Sequence, residues 1–197
     1  MLLETLHLEH LPATYTVHLA LFCAVQNAAH LHQQLLDRNA QFEYAFVDAS
    51  IVLSRRQLLS AVFKAASNSA SGTLKTPNVH SEIVASLSSS NNIADAYRRY
   101  GISPTTKDLL VVKVVIAEDA QNTVLTGEDV WNHLDQAVDG TAVPVSDENL
   151  ATVTDLPKVR KYYKLNGLNW LDRQDDDGVK RQEMEMLILS SMAIRGV

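Results

Sequence analysis

The run from Leu109 to Ala117, LLVVKVVIA, constrains the fold more than any other segment of the chain. It is apolar except at Lys113, and most of its residues are β-branched. Such side chains pack well on a pleated backbone. A strand that alternates polar and apolar residues has one wet face; a near-continuous apolar run has none. The segment therefore predicts a strand buried on both sides, central in a sheet, with other elements covering each face.

The remaining segments supply those layers. Tyr15 to Phe22 (YTVHLALF) and Tyr44 to Val47 read as further strands, and Ile83 to Leu87 as another. Asn27 is placed to cap a helix running to about Arg38, with Ala28, Leu31, Leu35 and Leu36 on one side. Ser54 caps a helix through Leu58, Leu59, Val62 and Phe63 that fades into SNSASG at Gly72. Asn91 or Asn92 opens a short helix, which Gly101 is expected to stop in a left-handed conformation. A helix from about Thr126 to Val138 carries Glu128 and Asp129 in its first turn. Asp155 and Pro157 start a helix reaching about Leu165, and a last helix spans about Val179 to Ile194. Surface loops are expected at 118–126, 139–150 and 166–178. The predicted class is α+β (mixed α/β): a single domain over residues 1–197, one sheet of about four strands covered by helices, and an all-helical C-terminal third. Strand order and direction stay open.

Charge and cysteine content narrow the function classes. A net charge of −6 with a pI near 5.6 argues against a sequence-independent clamp on the nucleic-acid backbone. Cys23, the one cysteine, lies among Leu21, Phe22 and Val25, so a buried thiol is expected. The lack of a disulfide framework fits a reducing compartment. No run is long and apolar enough for a bilayer, and MLLETLHLEH lacks the flank and core of a signal peptide. The expected location is the nucleus and cytoplasm.

Catalytic motifs are absent. The chain has no Gly-rich phosphate loop, no G-x-S-x-G elbow and no H-E-x-x-H. His30 and His32 are two apart, a spacing that does not share one face of a helix. Asp175 to Asp177 lack the further ligands of a calcium loop. No metal site and no cofactor are expected, and an enzyme with an unrecognised site is the weakest reading.

Three constellations fit binding better. Exposed N–H groups at the helix opened by SSSNN attract phosphates, and Lys75, Asn78, Asn92 and Arg98 lie near that turn in sequence; simple capping by the asparagines is the favoured reading of the residues alone. PKVRKYYKL, from Pro157 to Leu165, combines Lys158, Arg160, Lys161 and Lys164 with two tyrosines. It suits RNA or an acidic partner, or a solvated helix with tyrosines turned inward. The last helix is apolar on several faces through Met184, Met186, Leu187, Ile188, Leu189, Met192 and Ile194. One stripe suffices for a surface helix. The excess reads as a partner surface or as deep burial, and the position at the chain end favours the partner surface.

The segment Thr76 to Ile102 resembles the PRPK-binding-protein (TPRKB-type) family, the small kinase-binding subunit of the KEOPS/EKC complex. The matching residues are Asn78, Ser81 and Glu82, then Asn92, Ile93, Asp95 and Ala96, closing on Tyr100, Gly101 and Ile102. LALF near Leu19, AFVDASIVLS from Ala45, VRKYYKL and the terminal I-R-G-V fit in the same order. Ser88 to Ser90 stand where many members carry proline, and the three surface loops look longer than in compact members. The resemblance implies a non-catalytic subunit that binds and stimulates the complex's small atypical kinase/ATPase and meets other KEOPS subunits indirectly. It also implies help in binding tRNA for threonylcarbamoyl-adenosine formation beside the anticodon, with telomere and transcription links in some fungal members. It implies no membrane and no small-molecule substrate. On this view Met184, Leu187, Ile188, Met192, Arg195, Gly196 and Val197 meet the kinase, and Lys75, Asn78, Asn92, Arg98, Lys158 and Lys161 meet RNA. The competing reading is a stand-alone RNA-binding module.

Overall fold

The computed structural model describes residues 2–117 and 125–195. In chain order these form β1 (Glu4–Leu6), β2 (Tyr15–Cys23), α1 (Ala28–Leu36), β3 (Ala45–Asp48), α2 (Arg55–Ala70), α3 (Val79–Ser86), α4 (Ile93–Tyr100) and β4 (Leu109–Ile116). There follow α5 (Gly127–Ala137), β5 (Thr141–Val143), α6 (Asp147–Val153), α7 (Leu156–Tyr162), α8 (Asn169–Asp172) and α9 (Asp177–Ala193). The class is the expected mixed α/β, with one sheet and a helical C-terminal region.

Every pairing in the sheet is antiparallel, in the order β1-β2-β4-β3. β4 is central, as its composition demands: Leu109 to Ile116 pair along β2 from Phe22 back to Tyr15, and Leu109 to Val112 also pair with β3. The far edge of β2 is shared. β1 covers Val17 to Leu19 and β5 covers Leu21 to Cys23. Alternate residues feed two cores. Val17, Leu19, Leu21, Leu110, Val112 and Val114 face a layer containing α2, α3, α7 and α9; Ala20, Phe22, Leu109 and Val111 face one containing α1 and α5. The period-2 side-chain alternation of the pleat divides the strand residues between these two layers.

Four expectations need correction. Ile83 to Leu87 is not a strand: it lies in and just after α3, where Val79, His80, Glu82, Ile83, Val84, Ala85 and Ser86 are all buried. A short apolar run has the same periodicity in a strand and in an all-round buried helix. The helix is identified by its cap, the Asn78 side chain accepting from Ser81 N at 2.8 Å. Gly101 does stop α4, but with φ −78°, not in the left-handed region. Glycine is required there because a Cβ would lie 2.7 Å from the carbonyl oxygen of Tyr97. The 139–150 loop contains β5 and the start of α6, and the 166–178 loop contains α8. Most of the 118–126 loop lies outside the described residues.

Capping was the most faithful local signal. Asn92, Ser54 and Asp155 accept from Asp95, Gln57 and Lys158 backbone N–H groups, and Thr126 and Asp129 form a reciprocal capping box. Asn27 starts α1 without capping it. Its amide donates to Ala137 O at 2.8 Å and accepts from Asp139 N at 3.0 Å, tying α1 to the end of α5.

Candidate functional site

α9 is the longest helix among the described residues, and it runs parallel to α2. The register follows from three contacts: Arg181 donates to Leu53 O, Arg56 pairs with Glu185 at 3.1 Å, and Lys64 Nζ donates to Met192 O at 2.8 Å. Lys64 also donates to Arg195 O at 2.9 Å, so its ammonium satisfies carbonyls that the helix end leaves open. Burial lowers the Lys64 pKa from the ordinary lysine value.

Met184, Ile188 and Met192 recur every four residues and form the inward stripe, all within the core. They cannot meet a partner while the helix is seated, so their expected surface role is corrected to a core role. Leu187 is half-buried against the same core. The outward stripe carries Val179, Met186 and Ile194, exposed by 40%, 61% and 71%. Gln182, Glu183, Ser190 and Ala193 complete it, so that beyond the first turn, with its exposed Asp177 and half-buried Lys180, the stripe carries one charge, Glu183. That composition is unusual for a wet face. Arg195 turns inward, donating to Ala85 O at the end of α3. Gly196 and Val197 lie outside the described residues.

The residues expected to meet RNA separate into two groups. Asn78 and Asn92 are helix caps. Lys158 is bound inward, 2.6 Å from Asp48 Oδ2 and 2.8 Å from Ser50 Oγ, an ion pair joining α7 to the end of β3. Its expected place on an RNA surface is therefore corrected. Lys75 is exposed, and its backbone N–H donates to Glu82 Oε2 at 3.1 Å. Arg98 and Lys161 are exposed, and their sequence neighbours meet: Arg99 lies 5.2 Å from the ring centre of Tyr162. The last turns of α4 and α7 therefore touch through Arg99 and Tyr162. Asp95 pairs with both Arg98 and Arg99, which pulls its carboxyl below the usual carboxylate range, the Arg98 contact first.

Sequence reasoning left Arg99 out of the expected RNA residues and missed its pairing with Asp95, although the i+4 spacing was a usable signal. It also missed Trp170, exposed by 52% on α8 in a segment read as loop. Tyr163 turns inward, and Tyr162 is half-buried against Tyr100. The inward-tyrosine alternative therefore holds for one side of α7 while its lysine side stays wet.

A second polar group lies at the edge of the sheet. β3 begins at Ala45 opposite Val112, so β4 runs beyond its neighbour and leaves the Val114 N–H without a strand partner. The buried His80 Nε2 accepts it at 3.0 Å. The ring proton is then on Nδ1, which faces Glu43 Oε1 at 3.6 Å, too far for a hydrogen bond. Burial lowers the His80 pKa below its ordinary value. Lys113 Nζ donates to the Glu43 carbonyl at 2.6 Å and lies over the Tyr44 ring, and burial lowers its pKa too. Tyr44, hydrogen-bonded to His133 at 2.8 Å, is pushed up to about 12 by burial.

Nothing in these arrangements resembles a nucleophile beside its base. Among the described residues no three His, Cys, Asp or Glu side chains gather as metal ligands. A shallow groove of about 560 Å³ beside α2 is lined by Leu8, Arg55, Leu59 and Phe63 among others. Its Arg55 is held in a two-pronged pair by Glu4 at 2.7 and 2.6 Å. Cys23 is half-buried, and burial raises its thiol pKa, with Asp108 adding to the effect.

The family model described as kinase binding protein CGI-121 matches residues 22–196. The EKC/KEOPS complex subunit CGI121 of Gibberella zeae is 62% identical over 197 residues, covering all of both chains. The subunit of the same name from Neurospora crassa is 47% identical, again over the whole of both chains. That of Schizosaccharomyces pombe is 33% identical over 91% of this chain and 93% of its own. With a match of this length and identity, the chain belongs to the CGI-121 family of kinase binding proteins.

Proposed function

We propose that this protein is the non-catalytic subunit of an EKC/KEOPS complex that binds the complex's small atypical kinase/ATPase and stimulates it. The observation that carries the reading is the outer face of α9, where Val179, Met186 and Ile194 stand in water along a helix whose opposite stripe is already in the core. Methionine and isoleucine on a rigid helix suit a helix-on-lobe contact, with the apolar anchors central and the polar rim outside. Stimulation follows if the seated subunit favours one kinase conformation over another. Kinase binding is the family's description and the complex is in the relatives' names, and no small-molecule substrate is part of the reading.

The second half of the proposal is a tRNA contact during threonylcarbamoyl-adenosine formation. The residues assigned to it are Arg98 and Arg99, both paired with Asp95, and the exposed Lys161, on two helix ends that meet where Arg99 lies over Tyr162. Lys75 and Lys164 are exposed as well. Such residues add salt-dependent phosphate contact rather than sequence readout. The proposed place of action is where tRNA is modified, in the nucleus and cytoplasm, and the telomere and transcription links of some fungal members extend the same proposal.

Reconstitution tests the proposal. The remaining KEOPS subunits of the same organism are assayed for ATP hydrolysis and tRNA threonylcarbamoylation with and without this chain. Stimulation of both is expected. Tight tRNA binding by the isolated chain, with no effect on the kinase, would instead favour a stand-alone RNA-binding module.

A further inference from the structure

We propose that the C-terminal turn of α3 links the docking face of α9 to the Arg99–Tyr162 surface, so that seating the kinase on α9 orders the end of α7. The inference rests on the docking reading above and adds a coupling between its two faces.

The connection is a run of buried polar contacts. At one end of α9, Arg181 holds Leu53 O. Leu53 N donates to Gln57 Oε1 at 2.7 Å, and Gln57 Nε2 donates to Tyr163 Oη at 2.8 Å. Tyr163 Oη donates in turn to Leu87 O at 2.5 Å. At the other end of α9, Arg195 holds Ala85 O, two residues before Leu87. The last turn of α3 therefore seats one side chain from the end of α9 and one from the end of α7. Lys64 fixes the α9 side of this arrangement through Met192 O and Arg195 O.

Gln57 is fully buried and Tyr163 nearly so. No water competes for their hydrogen bonds, so displacing one member leaves the next unsatisfied. The group shifts together or not at all. Tyr163 immediately follows Tyr162, whose ring carries Arg99. A partner that presses on α9 thus acts on Ala85 and Leu53, and through them on the residue that ends α7.

Hydrogen exchange on the full chain, alone and saturated with the purified KEOPS kinase subunit, tests this. The diagnostic amides are those of Tyr163 and Leu165, which donate to Val159 O at 3.0 Å and Arg160 O at 2.8 Å. In the wild type, kinase binding is expected to slow them by about fivefold or more, within the usual range of coupling between sites. Tyr163→Phe keeps the protection of α9 and loses that of α7. The double variant Arg181→Gln/Arg195→Gln, which cuts both links from the α9 side and leaves Tyr163 in place, gives the same loss if Tyr163→Phe folds poorly. Protection of α9 without any change at Tyr163 and Leu165 in the wild type overturns the coupling while the docking reading stands. Equal α7 protection in wild type and both variants overturns it as well. No protection of α9 overturns the docking reading, and the coupling with it.

Discussion

Lys158 and Asp48 form an ion pair, Nζ to Oδ2 at 2.6 Å, that fastens α7 to the end of the strand β3. Ser50 completes it, accepting from Lys158 at 2.8 Å while donating to Asp48 Oδ1 at 2.6 Å. Both side chains are largely covered, at 29% and 11% exposed. Lys158→Met therefore costs about 1–2 kcal/mol of stability, because Asp48 loses its cationic partner in a partly buried setting. Urea denaturation reads the shift in midpoint. In RNA titrations Lys158→Met matches the wild type, whereas Lys161→Ala and Arg98→Ala weaken binding and flatten its salt dependence.

Gly101 is fixed by space, not by backbone sign. Gly101→Ala places a methyl group against the Tyr97 carbonyl, whose oxygen would be 2.7 Å away. The neighbour is helix backbone and cannot rotate aside. An overpacking cost of about 1–3 kcal/mol is expected, measured as a lower unfolding temperature.

His80 gives the fold an acid-sensitive edge. Its folded-state pKa is lowered by burial, so it is neutral in the native state and takes up a proton more readily when unfolded. A depressed native pKa contributes stability above the unfolded value, near 6.5, which is lost as pH falls from there toward the native value. Protonation also removes the acceptor for Val114 N–H. Stability is thus expected to fall as the pH drops below about 6.5. His18 and His133 shift in the same direction, both mainly through burial, and steepen the loss. His80→Gln keeps an acceptor that does not titrate, and its denaturation midpoint depends less on pH over this window.

The polar run through Tyr163 also has a plain stability consequence. Tyr163→Phe leaves Leu87 O and Gln57 without their shared partner in a dry interior. About 1–3 kcal/mol is expected from those unmade hydrogen bonds. Tyr162→Phe, by contrast, alters a hydroxyl on a half-buried ring and is expected to change stability by less than about 0.5 kcal/mol.

How far the sequence carried the fold depended on whether a segment had a distinctive local signal. LLVVKVVIA could only be a doubly buried strand, and the structure puts it at the centre of the sheet. Ser54, Asn92 and Asp155 announced their helices through capping chemistry. The three-residue strands β1 and β5 left no trace, because so short a segment owes its extension to the free edge of β2. α3 was misread because a helix buried on all sides shows no stripe. The candidate site suffered from the same ambiguity. Several apolar stripes along α9 were visible, but which one turned inward was decided by α2 and α3. Lys158 looked like any lysine of a basic helix until the fold brought Asp48 to it, a partner 110 residues away in sequence.

Calorimetric titration of the purified KEOPS kinase subunit with the wild type, Met186→Glu, Ile194→Glu and Leu36→Glu tests the central claim most directly. Met186 and Ile194 lie on the outer face of α9, whereas Leu36, exposed by 62%, lies at the end of α1 on the other side of the sheet. All three positions are open, so each variant is expected to fold. The account predicts that Met186→Glu and Ile194→Glu weaken binding by about tenfold or more, the size of an anchor lost from an interface, and that Leu36→Glu leaves it unchanged. Wild-type affinity in both α9 variants would contradict it and move the kinase contact to another face of the protein.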